Sequence, residues 1–162
     1  MTTSEQGWVV GTALDAWQRL LRANCVLMRT LDHELQAEHS MTISDYDVLV
    51  SLRNADDHSL RMSDLSRRTL LTRSGMTRLV QGLERDGLVE RRPCESDARV
   101  SFAVLTEIGV ERIEAARRTH HSGIRRMFAD HFSEEDAATL VELLGRIPGV
   151  ADGSDTSCCG PE

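Results

Sequence analysis

The 162-residue chain contains no lysine; all nineteen basic residues are arginine. A GC-rich genome would give that bias without a functional cause. No window of eighteen residues is continuously apolar, so no segment reads as a membrane-spanning helix. The start, Met1-Thr2-Thr3-Ser4-Glu5, has neither the basic region nor the apolar stretch of a secretory signal, and a cytoplasmic location away from any membrane is expected. Cys25, Cys94, Cys158 and Cys159 form no Cys-x-x-Cys pair and fit no zinc module. In a reducing compartment they are expected as free thiols. A glycine-rich phosphate loop, a His-Glu-x-x-His motif and a nucleophile elbow are all lacking. The acid pairs Asp56-Asp57 and Glu134-Glu135 fall in a loop and a helix start, where solvation or capping accounts for them. Neither an enzyme nor a cofactor is expected.

Apolar residues make up 40% and charged residues 28%, the balance of a folded globular chain of about one domain. The net charge of −7 is unevenly spread. Residues 61–99 hold nine arginines against six acids, a local excess of three positive charges. The rest of the chain carries ten arginines and twenty acids. A basic module in an acidic body suits a DNA binder, because the attractive field stays local.

Periodicity predicts helices with one small hairpin. Over residues 12–36, Leu14, Trp17, Leu21, Asn24, Met28, Leu31 and Leu35 recur at steps of three and four, and Leu20 and Leu27 widen that stripe. Ser44 reads as the cap of a second helix, with Asp47 at its third position, ending near Arg53. Leu60-Arg61-Met62 reads as a short strand. Ser63 then caps a third helix ending near Leu70 or Leu71. Thr72 caps a fourth, from Arg73 to Asp86, with Met76, Leu79, Val80 and Leu83 as its inner stripe and Gly87 as a left-handed stop. Two helices joined by a tight turn form a helix-turn-helix. Strands over 88–92 and 100–104 follow, joined by a charged tip, and make that unit a winged helix. Thr106 caps a long helix to about Phe128 or His131. Ser133 opens a last one, lined by Ala137, Leu140, Val141, Leu144 and Ile147. Residues 151–162 have no apolar period and read as a disordered tail.

The stretch from Leu65 through Thr106 resembles the MarR family of bacterial transcriptional regulators. Three features carry the likeness. One is Thr72-Arg73-Ser74-Gly75-Met76-Thr77-Arg78-Leu79-Val80 with Leu83-Glu84-Arg85-Asp86-Gly87-Leu88-Val89-Glu90-Arg91. The others are Asp97-Ala98-Arg99 and Val104-Leu105-Thr106-Glu107-Ile108-Gly109. The resemblance implies a mainly α fold: a winged helix-turn-helix with a small β-hairpin wing and an N- and C-terminal helical dimerisation region. Residues 1–150 would be a single domain, with dimerisation helices at 12–36 and 107–147 and a DNA-binding lobe at 44–106. It implies a triangular homodimer that represses neighbouring genes and is released by a small aromatic or anionic ligand or by cysteine oxidation.

In such a regulator the fourth helix meets double-stranded DNA, as an inverted repeat with half-sites about one turn apart. Ser74, Thr77 and Arg78 share one face at spacings of three and four; arginine can fork onto guanine, and hydroxyls reach bases or phosphates. A merely solvated face is the plainer alternative. Arg99 at the hairpin tip would enter the minor groove with Asp97 orienting it, or the two would form a surface ion pair. Ser63, Arg67 and Arg68 would meet the backbone, and Arg73 is a further DNA-binding candidate.

Control residues are more open. Trp17 is either core or dimer packing, or part of an effector site, since Ala16-Trp17-Gln18-Arg19-Leu20-Leu21-Arg22 is similar to relatives that sense urate-like anions. Asp47 would be its acidic partner, or simply a charge favoured at a helix start. Cys25 is buried packing or a peroxide sensor, and oxidised Cys94 would disturb the wing. Some relatives bind zinc near the first and fifth helices; here Glu38-His39 and His120-His121 offer no i, i+4 pair, and the six histidines read as solvent-exposed. Two alternatives to the ligand-released repressor stand: a cysteine-oxidation-sensing repressor of the same fold, and a winged helix that contacts protein only.

Overall fold

The computed structural model describes residues 7–68, 73–94, 96–97 and 100–150. Its elements in chain order are α1 (Thr12–His39), α2 (Ile43–Arg53), a 3-10 turn (Asp56–His58), β1 (Ser59–Arg61), α3 (Met62–Arg68) and α4 (Arg73–Arg85). Then come β2 (Val89–Pro93), β3 (Ser101–Leu105), α5 (Glu107–Met127), a second 3-10 turn (Ala129–His131) and α6 (Glu134–Gly145). The strands form one antiparallel sheet with β3 in the centre, pairing Leu60 and Arg91 with Ala103 from either side. This is the expected mainly helical winged fold, and β1 adds a third strand to the hairpin. Thr72, expected as the α4 cap, and the tail 151–162 lie outside the described residues.

The helix starts differ from expectation where side chains compete for the backbone. α2 begins at Ile43, capped by Thr42 and not Ser44. Thr42 Oγ1 accepts from Asp45 N at 3.0 Å while Asp45 Oδ2 accepts from Thr42 N at 2.9 Å, a reciprocal box that outcompetes a cap at Ser44. Asp32 of α1 adds an acceptor for Ile43 N at 2.8 Å. Asp47 therefore lies beyond the first turn, where a macrodipole reading no longer explains it. α3 starts at Met62, placing Ser63 inside the helix and not at its cap. Thr106 and Ser133 cap α5 and α6 as their sequences predict.

The core fills the space between α2, α3, α4, α5 and the sheet. Leu49, Leu52, Leu65, Met76, Val80 and Ile113 are fully buried. α1 joins it only through its C-terminal part: Leu31 and Leu35 are buried, but Trp17 is 55% exposed and Leu21 50%. The long apolar stripe of α1 is thus not a core stripe over most of its length. α6 has no buried residue, and Val141 is 72% exposed. Three of the six histidines depart from the expectation of solvent exposure: His39 and His58 are half-buried, and His120 is 3% exposed and stacks on Tyr46 with centroids 4.3 Å apart. Its place on the inner face of α5, between Ala116 and Gly123, buries it.

Candidate nucleic-acid interface

α4 is strongly two-sided. Met76, Val80 and Leu83 are buried, one helical turn apart, and anchor the helix in the lobe. Ser74, Arg78, Gln81 and Arg85 are exposed on the other side. Thr77 sits between these faces, half-buried, with its carbonyl 3.5 Å from the Arg91 guanidinium of β2. Gln81 and Arg85 continue the outer face; the spacing of three and four from Arg78 was the available signal, beyond the shorter stretch of interest.

α3 lies before α4, and its Ser63 and Arg67 are both exposed. Arg67 pairs with Asp64 of its own helix, and Ser63 Oγ donates to Asp64 Oδ1 at 3.4 Å. A phosphate meeting Arg67 would displace an exposed pair that contributes little. Arg68 and Arg73 occupy the last residue of α3 and the first of α4. The wing follows: Cys94 N donates to Val100 O at 2.9 Å and Val100 N to Asp97 O at 2.9 Å, closing the loop base. Asp97 is exposed there, whereas Arg99 lies outside the described residues.

Arg91 is a residue that the sequence reading did not single out. Along β2 it shares the inner side with buried Val89, so its alternation was the clue. Its Nε lies 3.1 Å from Glu84 Oε2 of α4. Together with Ser63, Ser66, Thr77 and Ser101, and with the apolar Met62 and Val100, it lines a cavity of about 350 Å³ between α3, α4 and the hairpin. Hydroxyls and one guanidinium around such a space suit a small oxyanion.

The control residues are scattered. Trp17 is on the uncovered part of α1, and α2 docks on α1 at Asp32, roughly 22 Å further along the helix at 1.5 Å per residue. One chain cannot bring Trp17 and Asp47 together, because Asp47 is only about 6 Å along α2 from that contact. Asp47 is half-buried, and desolvation pushes its carboxyl up to about 7. Cys25 is exposed on α1 and not packed in the core. Cys94 is half-buried at the wing, its Sγ 3.2 Å from Ser96 Oγ, and that bond, then backbone bonds at Ser96 and Asp97, hold the thiol below its ordinary pKa. Among the described residues no cluster of three metal-ligating side chains occurs. Nor is any helix long and apolar enough to cross a membrane.

Comparison with known proteins agrees with this geometry. A sequence profile of the MarR family matches residues 39–100. The HTH-type transcriptional repressor YetL of Bacillus subtilis is 30% identical over 124 residues, covering 75% of this chain and 74% of the relative. AbsC, a MarR family regulator from Streptomyces coelicolor, superposes with a TM-score of 0.82 at 35% identity, over 90% of this chain and 98% of that one. Sco3205 from the same organism, solved in complex with DNA, gives 0.82 at 32% identity, over 90% and 93%.

Proposed function

The chain belongs to the MarR family of transcriptional regulators, and from that premise we propose that it is a homodimeric, sequence-specific repressor that binds an inverted repeat in double-stranded DNA. The observation that carries the reading is the two-sidedness of α4: a buried Met76–Val80–Leu83 anchor under an exposed Ser74–Arg78–Gln81 face, beside the wing. Ser74, Thr77 and Arg78 read bases in the major groove, and Ser63, Arg67, Arg68 and Arg73 hold phosphates. Arg99, two residues after Asp97 in the sequence, enters the minor groove. Sco3205, so similar in fold, was solved on DNA.

Dimerisation comes from the exposed apolar residues of α1 and α6, which a second copy covers in residues 12–36 and 107–147. The effector enters the cavity beside Arg91. An anion there competes with Glu84 for the guanidinium and loosens the wing from α4. Trp17 and Asp47 would join an effector site only across the dimer. Titration of the intergenic DNA beside the gene at rising salt tests the reading. Affinity falls steeply, by a log–log slope of ~0.9 per phosphate contact. Salt-independent binding, or none, would leave the protein-contact winged helix in its place.

Cys94 favours a second mode of release, because a thiol with a lowered pKa at the wing base is the more oxidisable form. Mild peroxide then weakens DNA binding of the wild type but not of Cys94→Ser, as a gel shift beside mass spectrometry would record. Exposed Cys25 is the internal control: Cys25→Ser that abolishes the response moves the sensor to α1.

A further inference from the structure

Three elements meet at the elbow between α4 and β2. Gly87, with φ of 73°, ends α4 in the left-handed conformation. Its N–H donates to Glu84 O at 3.0 Å, and Leu88 N donates to Leu83 O at 2.9 Å, a closure of the Schellman type. The carbonyls of Gly87 and Leu88 are both met by one residue, Thr106. Its N–H donates to Leu88 O at 3.0 Å, and its hydroxyl donates to Gly87 O at 2.7 Å, with Leu88 O at 3.1 Å. The same hydroxyl oxygen accepts from Gly109 N at 3.0 Å and so caps α5.

Gly109 shows how tightly α5 is seated. A Cβ there would stand 2.2 Å from Leu88 O and 2.8 Å from Leu105 Cδ1. The first turn of α5 therefore rests on the elbow backbone at Leu88, which cannot give way, as well as on the Leu105 side chain. At the other end, Gly123 packs against α1, where a Cβ would stand 2.6 Å from Leu31 Cδ2. The 21-residue α5 is thus a rod of roughly 31 Å fixed at both ends by close approach.

We propose that Thr106 is a positioning residue. Its hydroxyl proton, held on the Gly87 carbonyl, sets the angle of the reading helix and wing against the α5 rod and so fixes the half-site spacing that the dimer accepts. This rests on the reading of the chain as a dimeric DNA binder. Capping alone needs only an acceptor, which Ser, Asp and Asn supply as well as Thr. The clamp needs a donor on the same atom, and an ionised Asp has none. Thr106→Asp therefore keeps the cap and loses the clamp, Thr106→Ser keeps both, and Thr106→Val loses both.

Each variant is used to select duplexes from a library with randomised half-sites at variable spacing. Wild type and Thr106→Ser enrich one spacing; Thr106→Asp and Thr106→Val enrich three or more. Gly109→Ala, which pushes α5 off the Leu88 carbonyl from the other side, broadens the selection in the same way. A single, unchanged spacing in a folded Thr106→Asp protein overturns the proposal. Hydrogen exchange without DNA separates it from the parent reading. Amides at 87–92 exchange at least tenfold faster in Thr106→Asp than in wild type, while those at 110–116 do not change; equal rates at 87–92 overturn the clamp even if no duplex is enriched by any form. A wild type that enriches nothing while the exchange difference holds overturns the DNA reading alone.

Discussion

In the lower lobe, Val48, Leu49, Leu52, Leu65, Met76 and Val80 are fully buried, and each element covers another. By contrast, Trp17 and Leu21 of α1 and Val141 and Leu143 of α6 stand half or more open to solvent, or close to it. Both regions have apolar residues at helical spacing. The difference is what lies opposite: in the lobe a second helix or the sheet covers the stripe, whereas these four side chains of α1 and α6 stay largely open to solvent. The lobe holds the core, and the open apolar faces of α1 and α6 are the surfaces that the proposed dimer would cover.

The contrast would break most visibly in stability. Leu52→Ala removes a core side chain and costs about 2–5 kcal/mol; its denaturation midpoint falls by the same amount at every protein concentration. Leu21→Asp leaves the lobe packed but places a charge on the open face of α1. The wild-type midpoint rises with concentration, as for any dimer, and the variant loses that dependence together with its dimeric sedimentation. A concentration-independent wild type would dissolve the distinction between the two regions. A smaller effect follows on the lobe's outer side. Arg78→Ala and Arg99→Ala each weaken operator binding by ~1–3 kcal/mol in a gel-shift titration, with melting temperature unchanged.

In the wild type the smallest expected effect is on pH, because the titrations of α2 and α5 oppose each other. Burial raises the Asp47 carboxyl from 3.8 to about 7, so the folded state binds the extra proton and stability falls as pH rises between those values. Burial, then the charge of His121, lowers His120 from 6.5 to about 4. There the unfolded state binds the extra proton, and stability rises with pH over that window. Each slope is at most about 1.4 kcal/mol per pH unit. Wild-type stability is therefore nearly flat from about pH 4 to 6.5. Asp47→Asn exposes the rising limb and His120→Gln the falling one, in denaturant titrations across that range. Parallel curves for all three proteins would show that neither burial matters energetically.

Much of the lobe was legible in the chain because its signals are local. The left-handed Gly87, the Thr106 and Ser133 caps and the Met76–Val80–Leu83 stripe act within a few residues of themselves. The α2 cap was misplaced by two residues because Ser44 and Thr42 both have an acid three positions on, and only the Asp32 contact from α1 adds weight to one of them. Arg91 escaped notice because a charged residue on an inward-facing strand position means nothing until Glu84 and Thr77 are known to face it. His120 was misjudged because burial depends on Tyr46, seventy-four residues away in the chain.

Local chemistry along the chain was enough to establish the order of helices and strands, the winged helix-turn-helix and the polar outer face of α4, since turns, caps and periodicity are short-range properties. Packing in three dimensions alone decided which apolar stripe becomes core and which stays open, and where the cavity beside Arg91 lies. It also decided that the α5 rod seats on the elbow at Gly87 and Leu88. Those outcomes depend on distances between residues far apart in sequence, which no spacing rule encodes.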